Sequence, residues 1–249
     1  MDIEGLSLDC NEFVKFAIKP AVDILKNSIK NNQELISKLE PYHSSTYSWK
    51  TGLEGNSNLA YKHFLFEQSY NLQCSFYLAL SGYYRYSLAA LRNYLEMSIF
   101  FIFNLENPNQ LKQWEENEEN RFSFGNALDK IFKNGTRYNE FYELKDKIKK
   151  LNRELSSYVH PPRLDKSQSR CYFINDELDF LKYDRQFIVN WFELATSCVG
   201  LSNMILIIGM YDSFKSFKDL DKENILITLS EDQKNALNKY SIEMYKTTL

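Results

Sequence analysis

Turn-forming residues are too scarce in this chain for a β fold. Eight glycines and five prolines punctuate 249 residues, whereas an all-β domain needs turn signals about every 8–12 residues. The stretches between them carry apolar residues at helical intervals instead. Val14, Ile18, Val22, Leu25, Ile29, Leu35 and Leu39 follow one another mostly at three, four or seven positions, which draws a single apolar stripe. That pattern predicts a first helix over residues 11–40, kinked at Pro20 and stopped by Pro41. Ser, Thr, Gly and Asn then gather over residues 42–57, and their turn chemistry predicts a loop.

A long helical region follows over residues 58–104, divided by Ser81-Gly82. In its second half Leu88, Leu91, Leu95, Ile99 and Ile102 make one face, and Phe100, Phe101 and Phe103 carry apolar character around the helix. A helix apolar on all sides belongs at the centre of a protein. An acidic, exposed segment is expected at 111–120, then a short helix over 124–132 closed by Asn134-Gly135. A clean amphipathic helix over 138–158 is written by Phe141, Leu144, Ile148, Leu151, Leu155 and Tyr158, with Pro161-Pro162 as its stop. Residues 163–179 read as irregular, with a short extended piece at 171–174. The last core helix is expected over 184–214. In the tail, Ser230 and Gln233 stand at the spacing of a capping box for a terminal helix.

The expected fold is therefore all-α: an antiparallel bundle of four to five long helices with extra N- and C-terminal helices. Residues 1–57 would pack on the bundle as helix and loop, residues 58–214 would form the bundle, and residues 215–249 a tail. With 44% apolar residues there is ample material for a core.

Charge and cysteine usage narrow the function classes. A formal charge of −3 argues against a generally basic coat for nucleic acid, although residues 130–170 hold eleven Lys/Arg against five Asp/Glu. Cys10, Cys74, Cys171 and Cys198 are scattered, without metal-ligand spacing, which suits a reducing cytoplasm. The N-terminal residues do not read as a signal peptide. The most apolar run, residues 198–211, is shorter than the roughly 20 residues a membrane span needs. A buried core helix in a cytoplasmic protein, with no membrane partner, is the expectation.

No phosphate-cradling glycine loop, GxSxG, HExxH or ExxH array occurs, so neither a cofactor nor a metal is expected. Three histidines are available: His43 in the expected loop, His63 among aromatic residues, and His160 in the segment LNRELSSYVHP. Arg153 and His160 are seven apart, which leaves them within about 20° of each other on a helix. Lys149 and Ser156 share that side, so Lys149, Arg153, Ser156 and His160 form a polar ridge. A guanidinium matches a phosphate bidentately and an imidazole exchanges protons near neutral pH. RNA brings its own 2′-hydroxyl nucleophile, so such a ridge suits metal-free phosphoryl chemistry. The alternative is structural: His160 as a cap on the helix dipole and Arg153 as an exposed ion-pair partner. Arg85, Arg92 and Glu96 lie on one side of the central helix and are expected to pair with each other or across to the 138–160 helix.

Two of these segments, ALRNYLE at 90–96 and LNRELSSYVHP at 151–161, resemble the HEPN-like superfamily of helical bundles, over roughly residues 82–161. Arg153 and His160 fit its R-x4-6-H motif, with Glu154 where active members usually carry Asn, Asp or His. The resemblance implies a HEPN-like bundle that dimerises so that two Arg–His pairs face a shared cleft and cleave RNA without metal. Arg153 would hold the scissile phosphate and His160 would act as general acid or base, with Ser156, Lys149, Arg92, Glu96 and Arg85 supporting. It also implies a place in prokaryotic defence or toxin–antitoxin systems, either as an endoribonuclease or as a non-catalytic subunit or regulator bound to a partner protein. Nucleotide binding between helices through Arg85, Arg92 and Lys149 is a third reading.

Overall fold

The computed structural model describes residue 12 and residues 14–54, 59–107, 123–134, 141–159 and 182–247, with backbone alone at 16–17, 59–63, 134, 142 and 240–247. The acidic segment at 111–120, the extended piece at 171–174, Cys10, Cys171, His160 and Pro161-Pro162 lie outside the described residues. Among those described, every regular element is a helix. A π-helical turn at Val14–Ile18 leads into α1 (Lys19–Asn31), α2 (Gln33–Gly52), α3 (Leu59–Leu80), α4 (Tyr84–Glu106), α5 (Phe124–Asn134) and α6 (Tyr142–Val159). Then come α7 (Arg185–Gly209), α8 (Tyr211–Lys215), α9 (Asp219–Leu226) and α10 (Glu231–Thr247).

Several boundaries are set by local chemistry that the sequence displays. Gly82 adopts a φ of 84°, the left-handed conformation open to a residue without a Cβ. The Gly82 and Tyr83 amides bond back to the Ala79 and Leu78 carbonyls, closing α3 with a Schellman motif. The Asp184 carboxylate accepts the Phe187 amide at 3.0 Å and opens α7. At α10 the capping box forms as expected: the Ser230 amide donates to Gln233 Oε1 at 2.8 Å, and the Gln233 amide donates to Ser230 Oγ at 3.3 Å.

The N-terminal region departs from expectation. Pro20 falls in the first turn of α1, where the π turn gives way to α-helix; a missing N–H is harmless at that position. The real break comes at Asn32, whose side-chain amide caps the Ser28 carbonyl at 2.8 Å. Pro41 does not end a helix but lies inside α2, and most of the loop expected at 42–57 is helix as far as Gly52. His43 is accordingly a helical residue. The hydroxyls that look like turn formers bond one turn back: Ser45 to the Tyr42 carbonyl, Thr46 to His43 and Thr51 to Tyr47. Satisfied in this way, Ser45 and Thr46 can line a buried face that also carries Trp49 and Leu53. Tertiary burial outweighs local propensity here. The helix expected over 184–214 is likewise interrupted, at Met210 between α7 and α8.

The central helix is α4. It packs against α3, α5, α6 and α7, and Leu91, Tyr94, Leu95, Ile99 and Phe103 are fully buried on it. Its neighbour α7 touches α2, α3, α4 and α6. By length and composition α7 could cross a membrane, yet 67% of its apolar window is buried inside the protein. α9 packs against α2. Cys198 and Cys74 are free thiols on α7 and α3.

One polar group sits deep in this apolar assembly. Asn203 of α7, 1% exposed, accepts the Trp49 indole N–H at 2.9 Å. Its amide donates to Thr228 Oγ1 at 2.8 Å and to Ser45 Oγ at 3.2 Å. Each of those hydroxyls passes its own proton to a carbonyl, Ile225 and Tyr42. Removing the amide strands an indole N–H and leaves a void. Asn203→Ala should therefore cost about 3 kcal/mol, seen as a lower urea midpoint at unchanged m-value.

Candidate functional site

The apolar stripe of α6 (Phe141, Leu144, Ile148, Leu151 and Leu155) is buried and sets the helix against α4 and α7. That leaves the polar ridge turned toward α5 and solvent. Lys149 does not stand free on it: its ammonium meets Asp129 Oδ1 of α5 at 2.7 Å, and Lys145 reaches the same oxygen at 3.0 Å. The hydrogen bonds from Lys149 and Lys145 hold the Asp129 carboxyl below its ordinary pKa. Ser156 bonds back to the Asn152 carbonyl at 2.7 Å. Arg153 is exposed, with no ion-pair or hydrogen-bond partner among the described residues. His160, one residue past the end of α6, lies outside the described residues.

Three further residues singled out from sequence tie α4 to α6. Arg92 Nε donates to Glu96 Oε1 at 2.8 Å, and Asn152 of α6 donates to the same oxygen at 3.1 Å. The Arg92 and Glu96 side chains are 27% and 13% exposed, so the pair is shielded enough to matter and is hydrogen-bonded on both sides. Arg85 extends its guanidinium to the Val159 carbonyl, with Nη2 at 2.8 Å and Nε at 3.2 Å. A fork on a terminal carbonyl satisfies an acceptor the helix cannot pair and complements the negative end of its dipole. The structure thus realises both of the pairings expected for these residues, within α4 and across to α6.

Two grooves were not anticipated. One, of about 430 Å³, lies between α6, α7 and the start of α10, with Lys147, Lys150, Glu154, Ser197 and Ser230 among its walls. It occupies the flank of α6 away from Arg153, because residues 147, 150, 151 and 154 recur at three- and four-residue steps. The other, of about 370 Å³, is walled by Leu39, Leu72, Phe76 and Trp191, with His43 and Gln73 at its mouth. The Gln73 amide lies 3.1 Å from His43 Nε2, an arrangement that suits a neutral ring protonated on Nδ1. Burial pushes the His43 pKa down, against the opposing charge of Glu40. Neither groove was legible in the sequence, since each joins helices far apart in the chain and one rests on residues read as a loop. The side chain of His63 lies outside the described residues.

Other reactive groups are quenched by their surroundings. Burial, with the Glu154 charge as a lesser cause, raises the Cys198 thiol pKa far above its ordinary value, and a protonated thiol is not a nucleophile. Among the described residues no three His, Cys, Asp or Glu side chains converge in a way that could hold a metal ion. Chemically, the ridge offers one free guanidinium, held on a helix whose end is clamped from α4.

The Asp129 pairs give a pH dependence. A carboxyl with a depressed folded-state pKa contributes stability above its unfolded pKa and loses it as pH falls through the folded value. Its side chain is 53% exposed, so the contribution is under about 1 kcal/mol and is screened by salt. Asp129→Asn should lower stability slightly at neutral pH and flatten the loss below about pH 4, where the variant and the parent converge. Thermal melts across acid pH at low and high salt check this. Comparison of the chain with protein-family models, with curated proteins and with solved structures gives no match.

Proposed function

We propose that this chain is a HEPN-like protein of a prokaryotic defence or toxin system, and that it cleaves RNA without a metal through Arg153 and His160. The observation that carries the reading is Arg153, an unengaged guanidinium on the α6 ridge, on a helix anchored at its end by Arg85. The class of system rests on the sequence resemblance at 90–96 and 151–161.

The chemistry follows from the residue types. Arg153 grips two non-bridging oxygens of one RNA phosphate and neutralises the charge that grows on them in the transition state. The ribose 2′-hydroxyl attacks that phosphorus while its proton passes to a base, and the bond to the 5′-oxygen breaks as that oxygen gains a proton. His160 serves as the base or the acid. The products are a 2′,3′-cyclic phosphate and a 5′-hydroxyl. The other sequence-selected residues support rather than react: Arg92 and Glu96 hold α4 to α6, Lys149 holds α5 to α6, and Ser156 bonds within its own helix.

A second reading, a non-catalytic HEPN-like subunit or regulator, is favoured by a specific feature of the ridge. Lys149 is paired with Asp129, Arg92 with Glu96, and Arg85 is spent on a carbonyl, while Glu154, the next residue after Arg153 in the chain, is exposed. A polyanion would find little unneutralised charge there.

The two readings part on one experiment. Purified protein incubated with RNA in EDTA should produce 2′,3′-cyclic phosphate ends. His160→Ala and Arg153→Ala should each reduce the rate by about 10²–10⁴-fold. No cleavage by the parent protein, or an undiminished rate in His160→Ala, leaves the non-catalytic subunit as the reading that stands.

A further inference from the structure

We propose that the apolar slot between α2, α3 and α7 binds a small aromatic amine, with the aromatic ring inside the slot and the ammonium against Glu40 at its mouth. Three helix stripes build the slot. α2 supplies Ile36, Leu39 and His43, and α7 supplies Trp191, Ala195 and Val199, each set at three- or four-residue steps and so on one side of its helix. α3 closes it with Leu72 and Phe76. Leu72, Trp191, Ala195 and Val199 are buried, so the floor belongs to the core and is fixed by it.

The walls call for an aromatic body. The Phe76 and Trp191 rings lie 6.0 Å apart at an interplanar angle of 40°, and the Tyr42 side chain adds a third aromatic wall. Trp191 donates its indole N–H to Ser75 Oγ at 2.9 Å, which satisfies its single donor and leaves its apolar surface to the slot. Aromatic side chains offer large contact area in defined geometries, and their faces attract a cation. A volume of about 370 Å³ stands at the small end of the roughly 300–1,000 Å³ of small-molecule sites. It admits a molecule of one or two rings.

The charge at the mouth says which end such a molecule leaves there. Glu40 is the one charged side chain among the described walls, and no cation pairs with it among the described residues. The Ser44 hydroxyl donates to its Oε1 at 2.6 Å, which steadies the carboxylate and leaves the other oxygen free. His43 adds no opposing charge. The Gln73 amide, 3.1 Å from His43 Nε2, suits the neutral ring, and burial works in the same direction. The mouth is therefore anionic and the interior apolar. An aromatic carboxylate would bring like charge to Glu40, and a diamine would carry a second ammonium into walls that offer it no partner. A single ammonium on a short arm from an aromatic ring meets both halves of the site.

The slot lies apart from the polar ridge. None of its walls comes from α6, so amine binding and RNA cleavage succeed or fail independently.

Calorimetric titration of the full chain with three matched probes tests the proposal: tryptamine, tryptophol and indole-3-acetate share one ring and differ in the charge of the arm. Tryptamine should bind tightest, tryptophol about fivefold more weakly, and indole-3-acetate at least about tenfold more weakly. Glu40→Gln should weaken tryptamine about fivefold and bring it level with tryptophol. Glu193→Gln, two residues from Ala195 and so on the other side of α7, should keep the parent's affinity. Ala195→Phe puts a ring into the slot and should weaken all three probes by more than about a hundredfold. The imidazole proton resonances of His43, assigned by their loss in His43→Gln, should shift as tryptamine is added to the parent and stay in place in Ala195→Phe. Should Ala195→Phe fail to fold, Glu40→Gln, at an exposed position, decides. The proposal is overturned by a parent that does not bind tryptamine, or by tryptophol or indole-3-acetate binding as tightly as the amine. An undiminished affinity in Glu40→Gln, an equal loss in Glu193→Gln, or a folded Ala195→Phe that binds like the parent overturns it as well.

Discussion

A helix as apolar as α7 has little reason of its own to stop at one rotation or depth inside a protein. Hydrophobic burial is non-directional, and the run Met204–Ile205–Leu206–Ile207–Ile208 would pack acceptably in several registers. Asn203 removes that freedom. Its amide reaches the Trp49 indole, Ser45 and Thr228 only when α2, α7 and the turn before α10 are aligned as they are. Every proton in the chain has an acceptor, and a buried polar network satisfied throughout specifies a single arrangement. The helices placed by it in turn position α4 and whatever α4 carries.

The central helix then divides the molecule. On one face α4 meets α3 through small hydroxyls and aromatic packing. On the other it meets α6 through a guanidinium–carboxylate pair and a guanidinium on a helix end. The first contact is tight and leaves α3 with an idle aromatic face outward. The second is polar and partly shielded, and it anchors the helix that bears Arg153. Charged side chains on α4 that would be costly in an apolar setting are tolerated because each finds a partner on α6 or within its own turn. The two outward surfaces thus have different chemistry, aromatic on the α3 side and polar, with most charges paired, on the α6 side.

The fit between sequence and structure is uneven, and the unevenness has a pattern. Signals that act within a few residues were legible: Gly82 ending α3, Ser230 and Gln233 opening α10, the stripe of α6 and the all-round burial of α4. The misjudged places are those where a distant partner reverses a local preference. Ser45, Thr46 and Ser48 carry loop chemistry, yet they are helical because Trp49 on the same face is buried against α7 and α8. Asn32 breaks a helix that Pro41 was expected to end, since its amide also reaches Tyr183, 151 residues away. In the candidate site, the pairing of Arg92 with Glu96 was legible at four-residue spacing. The loss of Lys149 to Asp129 was not, because no periodicity within α6 registers a carboxylate on α5.

Helical class, core stripes, helix caps and the presence of an arginine on the polar side of α6 all follow from spacing and side-chain chemistry along the chain. They depend on interactions of short range, which a string of residues encodes directly. Which cations stay free, where grooves open and which aromatic face is left outward depend on side chains from separate helices meeting at a few ångströms. Those meetings exist only once the core has closed, and the tertiary structure alone decides them.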